Sequence, residues 1–154
     1  MRKKVSFFLA SMFGAGYFPF APGTIGSLVT LPFVWLVTHY FGPMGLFSVI
    51  VVMFVVGIVA TREVLKHTKH DPSFVVIDEF VGQALAFVFV ADYVHVWWVW
   101  VLGFVLFRFF DIVKIGPVKY FDEKVSNEWG VMMDDVVAGI FAAVILTFVL
   151  HIAA

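Results

Sequence analysis

Gly42 to Thr61 reads GPMGLFSVIVVMFVVGIVAT, twenty residues without a charge. A helix that crosses a bilayer needs roughly 20 mostly apolar residues, so this stretch sets the class of fold. Working outward, Thr24 to Phe41 is apolar apart from a few hydroxyl residues and Pro32. Phe74 to Ala91 is apolar apart from Asp78, Glu79 and Gln83. Val94 to Phe107 continues to Phe110 with only Arg108 interrupting, and Val131 to Ile152 carries Asp134 and Asp135 near its start and His151 near its end. Val5 to Phe20 is too short and too rich in Gly and Pro to cross. The expectation is an all-α integral membrane protein. It has about five transmembrane helices plus a short N-terminal re-entrant or interfacial segment, in one membrane-embedded domain over residues 1–154. Helices satisfy their own backbone in lipid, and the hydropathy is too uniform for the alternating pattern of a membrane barrel.

Composition agrees. Of 154 residues, 62% are hydrophobic and 14% charged, with a mean hydropathy of +1.02. Soluble domains run at about 45–50% apolar and about 25% charged. A disordered chain needs the opposite balance. A formal net charge of −1 argues against a nucleic-acid partner, which requires a basic footprint. The absence of cysteine removes disulfides, thiolate metal sites and a cysteine nucleophile. Arg2, Lys3 and Lys4 before an apolar run look a little like a signal peptide, but no small-residue cleavage site follows, so no cleaved segment is expected.

The basic residues give an expected topology. Arg2, Lys3 and Lys4 begin the chain, Arg62, Lys66 and Lys69 follow the uncharged stretch, and Arg108, Lys114, Lys119 and Lys124 follow the fourth. The connections His39 to Gly45 and Ala91 to Val96 contain no Lys or Arg. All ten cations then fall on one side, the cytoplasmic one. The N-terminus lies inside, the C-terminus outside, and Val5 to Phe20 dips in and returns. Tyr40, Tyr93, Trp97, Trp98 and Trp100 fall near the outer interface as an aromatic belt.

Asp78, Glu79, Asp111, Asp134 and Asp135 then lie at one depth near the cytoplasmic face, on three helices. Carboxylates inside a membrane are costly, at roughly 2.5–3.5 kcal/mol each at mid-bilayer and less near the surface, and five together repel one another. A cation that gathers them relieves both penalties, and oxygen ligands without sulfur suit a hard ion such as Mg²⁺. The plainer reading is that acids at helix starts complement the helix dipole. Arg108, Asp111 and Lys114 are spaced by three and share a helix face. Such a face can bind metal and phosphate together, Arg with a planar fork and Lys as a point charge. In Ala21-Pro22-Gly23-Thr24-Ile25-Gly26-Ser27 a helix start offers free N–H groups to an anion, with the Thr24 and Ser27 hydroxyls on the same side.

From about Phe13 to Ile145 the chain resembles the phosphatidylglycerophosphatase A family. The resemblance is carried by Gly14-Ala15-Gly16 before Pro22-Gly23-Thr24-Ile25-Gly26-Ser27, then by Asp78-Glu79-Phe80-Val81-Gly82. Phe107-Arg108-Phe109-Phe110-Asp111-Ile112-Val113-Lys114 follows, then Tyr120-Phe121-Asp122, then the run from Gly130 through Asp134-Asp135 to Gly139. It implies a bacterial inner-membrane, multi-pass, Mg²⁺-dependent enzyme that removes the terminal phosphate of phosphatidylglycerophosphate to give phosphatidylglycerol. The expected assignment is Mg²⁺ on Asp78, Glu79, Asp134 and Asp135, with Asp111 as a further ligand. One of these carboxylates, left unassigned, acts as general base on the attacking water. Thr24, Ser27, Arg108 and Lys114 bind the substrate phosphate. The competing reading is a small ion- or proton-coupled transporter using intramembrane carboxylates. A transport route needs polar groups at mid-bilayer and on both sides, whereas the outer halves of these spans are apolar.

Overall fold

A computed structural model describes residues 3–68 and 72–153. Arg2, Lys69 and His70 lie outside the described residues. Every described regular element is helical: α1 (Lys3–Ala10), α2 (Pro22–Leu65), α3 (Ile77–Leu85), α4 (Trp97–Val113), α5 (Pro117–Lys124) and α6 (Glu128–Ala153).

The 44 residues of α2 are two arms, not one rod. Gly42 leaves the helical region, at φ 65° and ψ −168°, a positive φ that favours glycine, and Pro43 withholds the next backbone N–H. Contacts show the consequence. A Cβ at Gly26 would lie 2.9 Å from Val76, and one at Gly57 would lie 3.5 Å from Ile77. In a straight helix those glycines would stand about 46 Å apart, yet they touch consecutive residues. The chain therefore folds back at Gly42-Pro43, inside the expected connection from His39 to Gly45.

Two helices, α2 and α6, are long and apolar enough to cross a membrane. The 17 residues of α4 give about 25 Å of helix. The expected span from Phe74 to Ala91 is different. Only Ile77–Leu85 is α-helical, about 13 Å, and turns follow to a short 3-10 segment at Ala91–Tyr93. Those turns are satisfied by three-residue hydrogen bonds such as Phe87 N–H to Ala84 and Val90 N–H to Phe87. Ala86, Phe87, Val90 and Ala91 are buried. A run apolar on all sides does not separate a helix from buried turns. Two helices, the two-armed α2 and α6, are thus long and apolar enough to cross, while the other two expected stretches are a shorter helix, α4, and a short helix followed by turns, α3.

The N-terminal segment is short and turns back on itself. It is α1 followed by a reversal through Met12, Phe13 and Gly14, all at positive φ. Ser11 holds this reversal, its hydroxyl donating to the Phe8 carbonyl and accepting from the Gly14 N–H. A helix absent from the sequence reading, α5, begins at Pro117 after Gly116, whose φ is +57°. Phe87, Phe107, Leu46, Met132 and Leu146 are fully buried. Val51, Val52 and Val55 on α2, Val101 and Val105 on α4, and Val144 and Phe148 on α6 are exposed.

Candidate active site

The site begins at a helix crossing. A Cβ on Gly139 would overlap the Gly82 carbonyl oxygen, and one on Gly82 would lie 2.5 Å from the Asp135 carbonyl oxygen and from the Phe107 ring. With no side chain at either position, α3 and α6 meet backbone to backbone. Asp78 precedes Gly82 by four residues and Asp135 precedes Gly139 by four. Four residues is about one helical turn, so the two carboxylates arrive at one level on the same side of the crossing. One oxygen from each of Asp78, Glu79 and Asp135 lies within 4.8 Å of the others.

These three acids differ from their neighbours in their partners. Among the described residues none of them has a salt-bridge partner. Glu79 Oε2 is buried without a hydrogen-bond partner. Asp78 Oδ1 accepts only from the neighbouring Glu79 N–H at 3.0 Å. A buried carboxylate without a compensating partner is expensive, so oxygens without a cation at this spacing fit a divalent ion bound by oxygen.

The remaining acids already have protein cations. Arg108 Nη1 lies 2.6 Å from Asp111 Oδ2, an ion pair, and Arg108 Nε is buried without a hydrogen-bond partner. Lys114 Nζ donates to Asp134 Oδ2 at 2.7 Å and to Asp122 Oδ1 at 2.8 Å. Burial alone would lower the Lys114 pKa, but the bonds and charges of Asp122 and Asp134 outweigh it and hold the ammonium above its ordinary value. Lys114 sits at the end of α4 in the left-handed region, φ 49°, which turns its side chain back between α5 and α6.

All of these groups line one cavity of about 230 Å³. Its wall holds six carboxylates, from Asp78, Glu79, Asp111, Asp122, Asp134 and Asp135, against two cations, Arg108 and Lys114. Pro22 and Gly23 close it at the start of α2. A Cβ at Gly23 would overlap Glu79 Oε1 and lie 3.4 Å from Arg108 Nη1, so glycine lets this helix start approach the acids.

Five expected residues, Asp78, Glu79, Asp111, Asp134 and Asp135, thus converge with Arg108 and Lys114. Three details differ. Asp134, expected with the metal group, is committed to Lys114 and lies outside the close trio. Ser27 is fully buried, outside the cavity wall, and its hydroxyl donates to the Gly23 carbonyl at 3.0 Å, an intrahelical bond. Thr24 neither caps the helix nor lines the cavity, because α2 starts two residues earlier at Pro22 with Ala21 as its N-cap. Asp122 was missed as a site residue. It lies on a short polar helix outside the apolar runs, and only its place in the Tyr120-Phe121-Asp122 piece marked it.

Comparison with known proteins agrees with the resemblance. The family model described as Phosphatidylglycerophosphatase A matches residues 8–150. A relative named Phosphatidylglycerophosphatase A from Escherichia coli (strain K12) is 38% identical over 146 residues, covering 93% of this chain and 82% of the relative. One of the same name from Haemophilus influenzae is 37% identical over 140 residues, covering 90% and 84%. A Bacteroides thetaiotaomicron protein with a provisional name as a phosphatidylinositol-3-phosphatase is 37% identical over 139 residues, covering 87% and 86%. No solved structure matches. With the acid-lined cavity built from the residues that carry the resemblance, and with the family match spanning nearly the whole length, the chain belongs to the phosphatidylglycerophosphatase A family.

Proposed function

We propose that this protein removes the terminal phosphate of phosphatidylglycerophosphate, giving phosphatidylglycerol and phosphate, with Mg²⁺ held by Asp78, Glu79 and Asp135. The observation that carries the reading is that trio of acids, close together and without protein cations, in a cavity that also holds Arg108 and Lys114. A divalent ion there would supply positive charge for the phosphoryl oxygens and acidify water.

The chain's own residues do the rest. The guanidinium of Arg108, whose Nε has no partner, suits phosphate oxygens. Lys114 fixes a second positive charge at the wall. Pro22 has no N–H and Ile25 already donates to Ala21, which leaves the Gly23 amide at the cavity free to donate to an anion. Backbone replaces the hydroxyl cradle expected at Thr24 and Ser27. One carboxylate of the set takes the proton of the attacking water. A phosphomonoester needs this much charge stabilisation because its uncatalysed hydrolysis is among the slowest known.

In this reading the protein is one multi-pass domain in a bacterial inner membrane, with the N-terminus and the cavity on the cytoplasmic side. The two arms of α2, with α4 and α6, supply the long apolar crossings, and the α3 segment reaches across as a helix plus buried turns, which membranes tolerate where protein covers the backbone. Exposed valines and phenylalanines along those helices support it. A transporter is not favoured, because the acids gather at one end and the family match points to a phosphatase.

The test is inorganic phosphate release by the purified full chain in detergent. Phosphatidylglycerophosphate is compared with phosphatidic acid and phosphatidylinositol 3-phosphate, with Mg²⁺ and with EDTA. Mg²⁺-dependent release from phosphatidylglycerophosphate, faster than from the other two, is expected. Release unaffected by EDTA, or a preference for either other lipid, overturns the reading.

A further inference from the structure

A second, wholly apolar groove of about 200 Å³ is lined by Leu31, Pro32, Trp35 and Trp100. Its position relative to the charged cavity follows from helix geometry. On α2, Gly23 faces the cavity and Leu31 faces the groove, eight residues on. On α4, Arg108 faces the cavity and Trp100 faces the groove, eight residues back. Residues spaced by four form a ridge inclined to the helix axis, so Trp100, Phe104 and Arg108 lie along one ridge of α4. Gly23, Ser27 and Leu31 form the facing line on the first arm of α2. The two helices run antiparallel, and the same seam leads from the Gly23 and Arg108 end to the Leu31 and Trp100 end over about 12 Å.

The seam is polar at one end and dry at the other. No polar atom lines the groove, whereas the cavity holds Arg108, Lys114 and six acids. Phe104 between them is half-buried. Pro32 and Trp35 are exposed, so the groove opens sideways from the helix pair. A ligand that fits both ends carries a phosphate on one side and an alkyl chain on the other.

We infer that the groove between Leu31, Trp35 and Trp100 seats an acyl chain of the phospholipid whose phosphate enters the charged cavity. The inference rests on the proposed lipid phosphatase reading and adds to it the path by which the tail leaves the site. Burial of alkyl surface against Leu and Trp is favourable by roughly 25 cal/mol per Å², so the groove contributes to binding and positions the head group. It takes no part in bond breaking.

The experiment fills the groove. Leu31→Trp is assayed for phosphate release from long-chain phosphatidylglycerophosphate, from its dioctanoyl form and from the water-soluble glycerophosphoglycerophosphate head group. The expected result is a KM about tenfold higher for the long-chain lipid, with kcat and the head-group reaction within about twofold of wild type. Equal loss on all three substrates, or no change on the long-chain lipid, overturns the inference. A second measurement needs no variant. A long-chain phosphatidylglycerophosphate bearing a diazirine in one acyl chain is photolysed on the wild-type protein, and the labelled peptides are mapped. Labelling of the peptides that contain Leu31, Trp35 and Trp100 supports the groove. Labelling confined to α6 overturns it. Failure of the wild type to release phosphate from any of the three substrates overturns the lipid phosphatase reading itself, and the groove's role with it.

Discussion

Gly139→Ala perturbs the crossing on which the site depends while leaving every ionisable group in place. The added Cβ would overlap the Gly82 carbonyl oxygen and lie 3.1 Å from its carbon, whereas ordinary contact begins at 3.4 Å. Backbone cannot swing aside as a side chain can, so α6 must retreat from α3 by roughly 1 Å, the scale of misplacement that costs about 100-fold in rate. The cost in stability is smaller, because two terms oppose. Alanine favours a helix over glycine by about 1 kcal/mol, and overpacking costs about 1–3 kcal/mol. The net loss is on the order of 1 kcal/mol, a fall in Tm of about 2–4 °C for a chain of this size. Gly103→Ala is the control. Its Cβ would lie 2.6 Å from the Phe87 ring and 3.2 Å from Leu146, a packing defect that separates no pair of acids. The assay is Mg²⁺-dependent phosphate release with thermal unfolding in detergent. Gly139→Ala is expected to lose about 100-fold in kcat, and Gly103→Ala to keep kcat within about threefold at a comparable small loss of Tm. Equal kinetic losses in the two variants, or near-normal activity in Gly139→Ala, would show that the crossing does not set the acids' spacing.

Further outcomes follow from the same contacts. Ser27→Ala keeps activity within about threefold, because its hydroxyl is spent inside the helix, while Gly23→Ala loses at least about tenfold by pushing Glu79 aside; both are read in kcat/KM. Asp122→Asn lowers kcat/KM about tenfold, but adds less than about twofold in a Lys114→Gln background, since it acts through Lys114; additive losses in the double variant contradict this. Arg62→Ala, which breaks the 2.6 Å pair with Glu128 where Arg62 is 58% exposed, shifts stability by less than about 1 kcal/mol and leaves activity unchanged, as a melting curve and an activity assay would register.

Much of the site was legible because charge is scarce here. In a chain with so few ionisable residues, Asp78, Glu79, Arg108, Asp111, Lys114, Asp134 and Asp135 stand out against apolar runs, and the cost of burying them points to one shared location. The reversal at Gly42-Pro43 was legible because two breakers sit between two long apolar stretches. The length of α3 was not, because hydropathy is blind to whether a buried apolar segment is helix or turns. Nor was the division of partners, in which Lys114 claims Asp134 and Asp122 while the trio is left without a protein cation. That division follows from the left-handed turn at Lys114 and the placement of α5, which no local pattern announces. One signal was available and unused: Asp-x-x-x-Gly occurs at both Asp78 to Gly82 and Asp135 to Gly139, an acid one turn before a close helix contact on each of the two crossing helices.

In the proposed reaction Asp78, Glu79 and Asp135 would hold the divalent ion on which phosphate removal depends. The most direct measurement is Mn²⁺ binding to the purified full chain by electron paramagnetic resonance, wild type against Asp135→Asn, with phosphate release from phosphatidylglycerophosphate measured on the same samples. The expected result is a bound ion in the wild type, with both ion affinity and activity falling by at least about 100-fold in the variant. Wild-type affinity for Mn²⁺ and wild-type activity in Asp135→Asn would contradict it.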